Sequence, residues 1–161
     1  MTSYFSIMKN SNMILSICIY KLSPTQYLPS VYQRNKVISK TFAQAIAEAA
    51  CISSKDIKAK VIVAFSRTGF TALLVSKFRP GVPIIGFTVR ESIRRRMSLY
   101  WGINQHIMKF PRSTDEMISE TEKVLLRKRI VKKGDSIIII ATSPFALGGK
   151  TNIMKLHKVG F

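Results

Sequence analysis

Residues 58–77 read K-A-K-V-I-V-A-F-S-R-T-G-F-T-A-L-L-V-S-K, and this stretch decides the predicted fold. Val61–Phe65 is short, apolar and rich in β-branched residues, which is typical of a strand buried on both faces of a parallel sheet. The polar residues 66–69 follow directly, and Thr71–Val75 then has the pattern of a helix. The stretch therefore predicts a buried strand that passes through a tight turn into a helix.

The turn between this strand and helix is the first candidate site. Backbone N–H groups at a helix N-terminus lack intrahelical partners, and hydroxyls and an arginine beside them suit a phosphate. The same residue types also cap helices that bind nothing, so the turn alone leaves a purely structural role open. The candidate residues are Ser66, Arg67, Thr68, Gly69, Phe70 and Thr71.

Length and composition limit the class of protein. The chain has 161 residues, of which 47% are hydrophobic and 21% charged, and this is typical of one globular domain. It is too short for an eight-stranded β/α barrel, which needs about 250 residues. Cys18 and Cys51 form no metal-ligand or redox spacing and fit a reducing compartment, so we predict a cytoplasmic protein.

The chain is strongly basic, with 26 lysines and arginines against 8 acidic residues and a formal net charge of +18. Such a charge indicates either an anionic partner, such as nucleic acid, or simply a solvated basic surface. The basic residues are spread along the chain, with local clusters at 94–96 and 127–129, and they do not alternate with aromatic residues. We therefore expect nucleic acid to be an unlikely partner.

Residues 1–40 differ from the rest of the chain because they contain no acidic residue. Their apolar run at 13–20 is too short to span a bilayer, and we predict no membrane association. We expect this segment to be a poorly ordered or loosely docked extension. A single domain then occupies residues 41–161.

Within that domain, helices and strands alternate. Three pairs with capping-box spacing predict helix starts: Thr41 with Gln44, Thr88 with Glu91, and Ser113 with Glu116. A turn is predicted at 133–135, where Gly134 is free to take positive φ. The predicted strands are Val61–Phe65, Val82–Phe87, Ile103–Phe110, Ile137–Ile140 and Thr151–Val159.

This alternation predicts an α/β fold, a three-layer α/β/α sandwich around a mostly parallel sheet of about five strands. The last strand follows its predecessor through a loop too short for a crossover helix, so it is predicted to be an antiparallel edge strand. Ligands bind beyond the carboxyl ends of the strands in such sheets. The turn at 66–71 and the loop at 143–149 are both predicted to lie there.

The sequence offers no catalytic or metal-binding constellation. His106 and His157 stand alone and are expected to be surface or packed side chains. The acidic residues occupy caps, helix faces and turns, and no pair of them indicates a metal site or an acid–base couple. Ser66 has no evident histidine base. We therefore predict no catalytic residue, no metal and no cofactor.

Seven stretches of the chain follow one another with a family-specific order and spacing. They read T-F-A-Q-A-I-A-E-A-A, A-K-V-I-V-A-F-S-R-T-G-F-T-A, V-S-K-F-R-P-G-V-P-I-I-G-F-T, L-Y-W-G-I, S-T-D-E-M-I, V-K-K-G-D-S-I-I-I-I-A and T-N-I-M-K-L-H-K-V-G. Together they resemble the C-terminal domain of pyruvate kinase, from about Thr41 to Gly160. The resemblance implies a non-catalytic α/β module that binds an allosteric sugar phosphate or another anion and packs against its twin.

The resemblance also implies roles for particular residues. The phosphate-gripping loop corresponds to Ser66–Thr71, with Phe70 where some members place a basic residue. The edge strand at the two-fold axis corresponds to Thr151–Val159, which predicts a homodimer. The mobile effector loop corresponds to Ser143–Lys150, and its expected ligand contacts are Ser143, Gly148, Gly149 and Lys150.

Three functional interpretations follow from these observations. The first is a regulatory or binding module that takes a phosphorylated metabolite at 66–71 and associates with itself. The second is a truncated or split pyruvate kinase that acts in glycolysis only with a separate catalytic barrel, because the family's catalytic residues lie in a barrel that this sequence lacks. The third is a basic nucleic-acid-binding protein on the same fold. In each case this chain alone is not expected to be an enzyme.

Overall fold

The computed structural model describes residues 41–109, 111–142 and 151–161. In these residues the chain forms four helices and five strands. The helices are α1 (Phe42–Asp56), α2 (Phe70–Phe78), α3 (Glu91–Met97) and α4 (Thr114–Arg127). The strands are β1 (Val61–Phe65), β2 (Ile84–Thr88), β3 (Ile103–Ile107), β4 (Ser136–Ala141) and β5 (Ile153–Lys158).

The five strands form one sheet in the order β3-β2-β1-β4-β5. Strands β1, β2, β3 and β4 are mutually parallel, whereas β5 pairs antiparallel with β4, from Ser136 opposite Lys158 to Ala141 opposite Ile153. This confirms the predicted α/β class and the antiparallel edge strand. We call the end where β1 to β4 begin the amino end of the sheet, and the end where they finish the carboxyl end.

Alternate residues of the central strands enter two separate hydrophobic cores, one on each face of the sheet. Ile62 and Ala64 pack with α1, α2 and the end of α3. Val61, Val63 and Phe65 pack on the opposite face with α4. All five are buried, as expected for a sheet covered on both sides. The predicted three-layer sandwich is therefore confirmed.

Two of the three predicted helix starts have the expected side-chain N-cap. The Thr41 hydroxyl accepts a hydrogen bond from the Gln44 N–H at 3.3 Å, and the Ser113 hydroxyl accepts one from the Glu116 N–H at 3.1 Å. The third prediction is wrong, because Thr88 does not cap a helix. It is the last residue of β2 and pairs with β3, so α3 begins only at Glu91, without a side-chain cap.

Strand ends differ from prediction by one to a few residues. β2 begins at Ile84, after Pro83, which has no N–H to donate. β3 ends at Ile107, whereas Phe110 lies outside the described residues. The turn before β4 is as predicted, with Gly134 at a φ of 88°. The predicted extension at 1–40 lies outside the described residues.

Candidate functional site

The turn at 66–71 lies at the carboxyl end of the sheet and is anchored to the neighbouring strand. The Ser66 N–H donates to the Phe87 carbonyl at 2.9 Å, which continues the pairing of β1 with β2. Gly69 then takes a φ of 79° and precedes α2. A β-carbon at Gly69 would lie 3.3 Å from Cγ2 of Ile93 and 3.4 Å from Cγ of Met97, so the turn packs closely against α3. This position therefore requires glycine for both its φ and its packing.

The six candidate residues of the turn divide into an inward and an outward group. Ser66 and Thr71 are only 4% and 6% exposed, and Gly69 is also buried. The Thr71 and Thr151 hydroxyls share a hydrogen bond of 2.7 Å, so the Thr71 hydroxyl is already engaged. The outward group is Arg67, Thr68 and Phe70.

The outward group lies beside the N-terminus of α2. The Phe70 N–H is held by the Thr68 hydroxyl at 3.4 Å, and the Gly69 carbonyl accepts the Leu73 N–H at 3.0 Å. The amides of the first helical turn have no carbonyl one turn earlier within the helix to receive them. They give this end of α2 a partial positive charge, which favours an anion.

A further arginine reaches the turn from α3. Nη2 of Arg96 donates to the Thr68 carbonyl, and its side chain is exposed. The outward part of the turn therefore carries one arginine, Arg67, and is contacted by a second, Arg96. Sequence reasoning missed Arg96 because the cluster at 94–96 was interpreted only as charge. Its proximity to the turn depends on the packing of α3 beside Gly69.

The two other arginines of the cluster are occupied elsewhere. Arg94 donates to both carboxylate oxygens of Glu91, at 2.8 and 2.5 Å, and Arg95 donates to the same carboxylate at 3.2 Å. The Arg94 hydrogen bonds, with a further contribution from Arg95, lower the pKa of the Glu91 carboxyl to about 2. Of the three neighbouring arginines, Arg96 is the one that contacts the turn.

The structure also locates the ends of the second candidate loop. Ser143, Gly148, Gly149 and Lys150 lie outside the described residues. The loop leaves from the carboxyl end of β4, the neighbour of β1, and returns at Thr151, which bonds to Thr71. The Asn152 N–H donates to the Ala141 carbonyl at 3.2 Å and closes the base of the loop. Both ends of the loop are thus beside the turn at 66–71.

One more polar group at the carboxyl end was not predicted. The Thr88 hydroxyl is fully buried, and it finds no hydrogen-bond partner among the described residues. Thr88 ends β2, next to the Phe87 carbonyl that receives the Ser66 N–H. The sequence did not reveal this buried hydroxyl, because the capping-box spacing assigned it to the start of a helix.

The two histidines are packed side chains rather than part of the candidate site. Burial, with smaller contributions from Lys128 and Arg94, lowers the pKa of His106 to about 4. His157 lies on β5 opposite Ile137, and its Nε2 is 2.8 Å from Oε1 of Glu122. The same carboxylate oxygen accepts the Gly160 N–H at 2.7 Å. Burial raises the pKa of Glu122, but these two hydrogen bonds, together with electrostatic contributions from His157 and Lys133, outweigh it, so the pKa is lowered overall.

Residues 41–109, 111–142 and 151–161 contain neither a metal-binding cluster nor a membrane-spanning helix. No group of three or more histidine, cysteine, aspartate and glutamate side chains is arranged to hold a metal ion in this part of the chain. Of its helices, none combines the length and the apolar character needed to cross a membrane.

The fold is a three-layer α/β domain. At the carboxyl end of its sheet, a cationic turn leads into the N-terminus of a helix. Residues 44–157 match the family model described as "Pyruvate kinase, alpha/beta domain". The chain therefore belongs to the pyruvate kinase family, of which it contains the α/β domain. This confirms the resemblance seen in the sequence.

Known relatives agree with this assignment. The chain is 37% identical over 117 residues to a pyruvate kinase of Lactobacillus delbrueckii subsp. bulgaricus, a match that covers 73% of this chain and 20% of the relative. It is 38% identical over 118 residues to a pyruvate kinase of Clostridium perfringens, covering 73% and 25%. The chain thus matches only a fifth to a quarter of the length of these relatives.

A solved structure supports the fold. The crystal structure of a pyruvate kinase from Cryptosporidium parvum superposes with a TM-score of 0.66, covering 96% of this chain and 27% of that chain. The identity of 23% means that this likeness carries the fold alone.

Proposed function

We propose that this domain is a non-catalytic regulatory module that binds a phosphorylated metabolite or an inorganic anion at the turn 66–71. The observation that carries the proposal is that two exposed arginines meet at the α2 N-terminus, Arg67 within the turn and Arg96 through its hydrogen bond to the Thr68 carbonyl. Charge-assisted hydrogen bonds from guanidinium groups to phosphate are strong and directional. The Thr68 hydroxyl, which accepts the Phe70 N–H, adds a polar group to the turn.

The exposed Phe70 side chain sets the size of the ligand in this proposal. It is 52% exposed at the start of α2, where some family members carry a basic residue. A second phosphate at that position would meet an apolar ring instead of a cation. Compared with family members that carry the basic residue, we therefore expect this domain to favour a monophosphate or inorganic phosphate over a bisphosphate.

The loop at 143–150 belongs to the same proposal. Its two ends lie next to the turn. The Thr71–Thr151 hydrogen bond joins the returning end to the turn. This supports a role for Ser143, Gly148, Gly149 and Lys150 in covering a bound anion.

Self-association through β5 is the second element of the proposal. β5 is the edge strand of the sheet, so one side of its backbone has no neighbouring strand within the described sheet. Leu156 on this strand is 48% exposed. An open strand edge with an exposed apolar residue suits pairing with a second copy across a two-fold axis. We propose a homodimer through Thr151–Val159.

A separate catalytic chain is the alternative partner. The relatives are four to five times longer than the segment matched here, as their coverage of 20% to 25% indicates. Phe42, at the start of α1, is 81% exposed and offers an apolar contact for such a chain. In this alternative the module acts in glycolysis only together with a barrel supplied in trans.

A cytoplasmic location completes the proposal. Cys51 is a free, fully buried thiol, and burial raises its pKa to about 12. A thiol held protonated in the core is inert and fits a reducing compartment.

Isothermal titration calorimetry tests the anion site directly. We expect heat on titration with inorganic phosphate or ribose 5-phosphate, and a weaker response to fructose bisphosphate. Arg67→Ala or Arg96→Ala is expected to weaken binding by about 1.5–3 kcal/mol, the value of a hydrogen bond to a charged group. Arg95→Ala is the matched control, because Arg95 is a neighbouring exposed arginine bound to Glu91. The absence of heat with all three ligands would contradict the proposal.

A further inference from the structure

The amino end of the sheet gathers basic residues that are scattered in the sequence. In an α/β fold each helix runs back along the sheet, so helix ends and strand starts meet at this end. Lys58 and Lys60 precede β1, and Lys132 and Lys133 precede β4. Lys158 ends the antiparallel β5 at the same place. All five side chains are exposed.

Strand pairing relates two of these lysines, and a side-chain contact adds a third to the same row. The Lys60 N–H donates to the Ser136 carbonyl at 2.8 Å, and Ser136 pairs with Lys158 across β4 and β5. A β-carbon at Gly160 would lie 3.2 Å from Cγ of Lys133. Since adjacent strands lie about 4.8 Å apart, Lys60, Lys133 and Lys158 project within a few strand widths of one another.

A shallow cavity extends this row. Its volume is about 400 Å³, and its walls include Lys55, Lys58 and Lys60 together with Gly81 and Pro83 from the start of β2. The cavity lies at the opposite end of the sheet from the turn at 66–71.

The acidic groups of this end neutralise its lysines only in part, although Glu122 lies close enough to Lys133 for that lysine to contribute to its lowered pKa. The Asp135 carboxylate accepts the Lys132 N–H at 2.8 Å, and the Glu122 carboxylate is held by His157 and Gly160. Among the residues that the structure describes, no ion pair involves Lys60, Lys133 or Lys158. A net positive surface therefore faces solvent here.

Two aromatic rings accompany the cations. Phe161 is 85% exposed, and Nζ of Lys158 lies 5.1 Å from its ring centroid. On the other side of the same end, the guanidinium carbon of Arg79 lies 5.8 Å from the Trp101 ring. A basic surface that also presents an exposed ring is the pattern of single-stranded nucleic acid sites, where phosphates meet cations and bases stack on aromatic side chains.

We propose that the amino end of the sheet binds single-stranded nucleic acid. The row of Lys60, Lys133 and Lys158, together with Lys58 from the cavity wall, contacts successive phosphates, and Phe161 stacks on a base. An acidic protein partner would need only the charges of this surface. The exposed ring therefore favours single-stranded nucleic acid over an acidic protein as the partner. The proposal does not depend on anion binding at 66–71, because the two surfaces occupy opposite ends of the sheet.

Fluorescence anisotropy with the full chain and a labelled oligouridylate of about 15 nucleotides tests this proposal. Each phosphate contact to a single strand contributes about −0.7 to the slope of log K against log salt, so four contacts predict a slope of about −3. The double variant Lys60→Glu/Lys133→Glu is expected to weaken binding by at least tenfold. Phe161→Ala is expected to weaken it about fivefold or more while leaving the slope unchanged.

The control is a charge-matched variant of the opposite end. Lys109 and Arg112 are exposed and follow β3 at the carboxyl end, so Lys109→Glu/Arg112→Glu makes the same change in net charge. Binding by this control at near wild-type strength supports the proposal. Equal loss in both double variants would overturn it, since net charge alone would then explain the affinity. Two other results would also overturn it: no binding by the wild type, or equal competition by polyglutamate together with no effect of Phe161→Ala.

Discussion

Three arginines at the carboxyl end of the sheet are held in defined hydrogen bonds, whereas the lysines of the amino end project into solvent. At the carboxyl end Arg96 binds the Thr68 carbonyl, and Arg94 and Arg95 bind Glu91. At the amino end Lys60, Lys133 and Lys158 enter none of the ion pairs found in the described residues.

The two ends therefore suit different kinds of anion. A planar guanidinium fixed by its neighbours loses little freedom on binding, which suits a small ligand of defined geometry. An ammonium group on a flexible stem acts as a point charge and suits a polyanion that binds without strict register. Substitutions at each end test how far the two ends differ.

The largest expected effect on the unfolding free energy comes from replacing two glycines by alanine. Gly69 at the carboxyl end and Gly134 at the amino end both have positive φ, 79° and 88°. A β-carbon at Gly69 would crowd Ile93 at 3.3 Å, whereas one at Gly134 would meet nothing within 4 Å. We expect Gly134→Ala to cost about 1–2 kcal/mol of unfolding free energy from backbone strain alone. Gly69→Ala should cost about 1 kcal/mol more, because crowding in a packed region adds to the strain.

Urea denaturation of both variants measures this difference. Equal loss of stability at the two positions would show that the turn at 66–71 is not held by its packing against α3. The carboxyl end would then be no more rigid than the amino end.

The hydroxyl pair at the carboxyl end gives the next effect. Thr71→Val leaves the buried Thr151 hydroxyl without its partner, which should lower the unfolding free energy by about 1–3 kcal/mol. The double variant Thr71→Val/Thr151→Val replaces both hydroxyls by apolar groups of similar shape, and it should recover most of this loss. A double variant as unstable as the sum of the two single variants would contradict a direct hydrogen bond.

The strands and layers of this domain were predictable because local patterns specify them. The run Val61–Phe65 and the isoleucines at 137–140 are buried on both faces, as their composition indicates. Ser113 caps α4 because capping depends on neighbours three residues away. Thr88 has the same spacing but stays in β2, since pairing with Ile107 on a distant strand outweighs the local signal.

The sites were less predictable because they depend on contacts between distant residues. Arg96 reaches Thr68 across 28 positions in sequence, and Thr71 reaches Thr151 across 80. The gathering of lysines at the amino end likewise follows from the direction of the helices, which no local pattern encodes. The sequence showed basic residues spread along the chain, and the topology concentrates them.

The Glu122 carboxylate at the amino end is expected to have a smaller effect on stability, and this effect depends on pH. The pKa of Glu122 is lowered overall in the folded state, so its ionised form stabilises the fold above the unfolded pKa of about 4.3. That contribution is lost as pH falls through the folded pKa. We expect Glu122→Gln to lower the unfolding free energy by about 1 kcal/mol at pH 7. The difference from wild type should shrink below pH 4, as urea denaturation across pH would measure, and a constant difference would contradict this assignment.

Glu91 should give the smallest effect on stability and instead change binding. Its carboxylate is exposed and its pKa is lowered to about 2 by the Arg94 hydrogen bonds and by Arg95, so solvent screens these pairs. We expect Glu91→Gln to leave the melting temperature unchanged within error. The variant frees two guanidinium groups beside Arg96, which should strengthen phosphate binding about two- to threefold at low salt and not at high salt. An equal gain in oligonucleotide affinity would show that the net charge of the whole molecule determines both kinds of binding. The proposed difference between the two ends would then be contradicted.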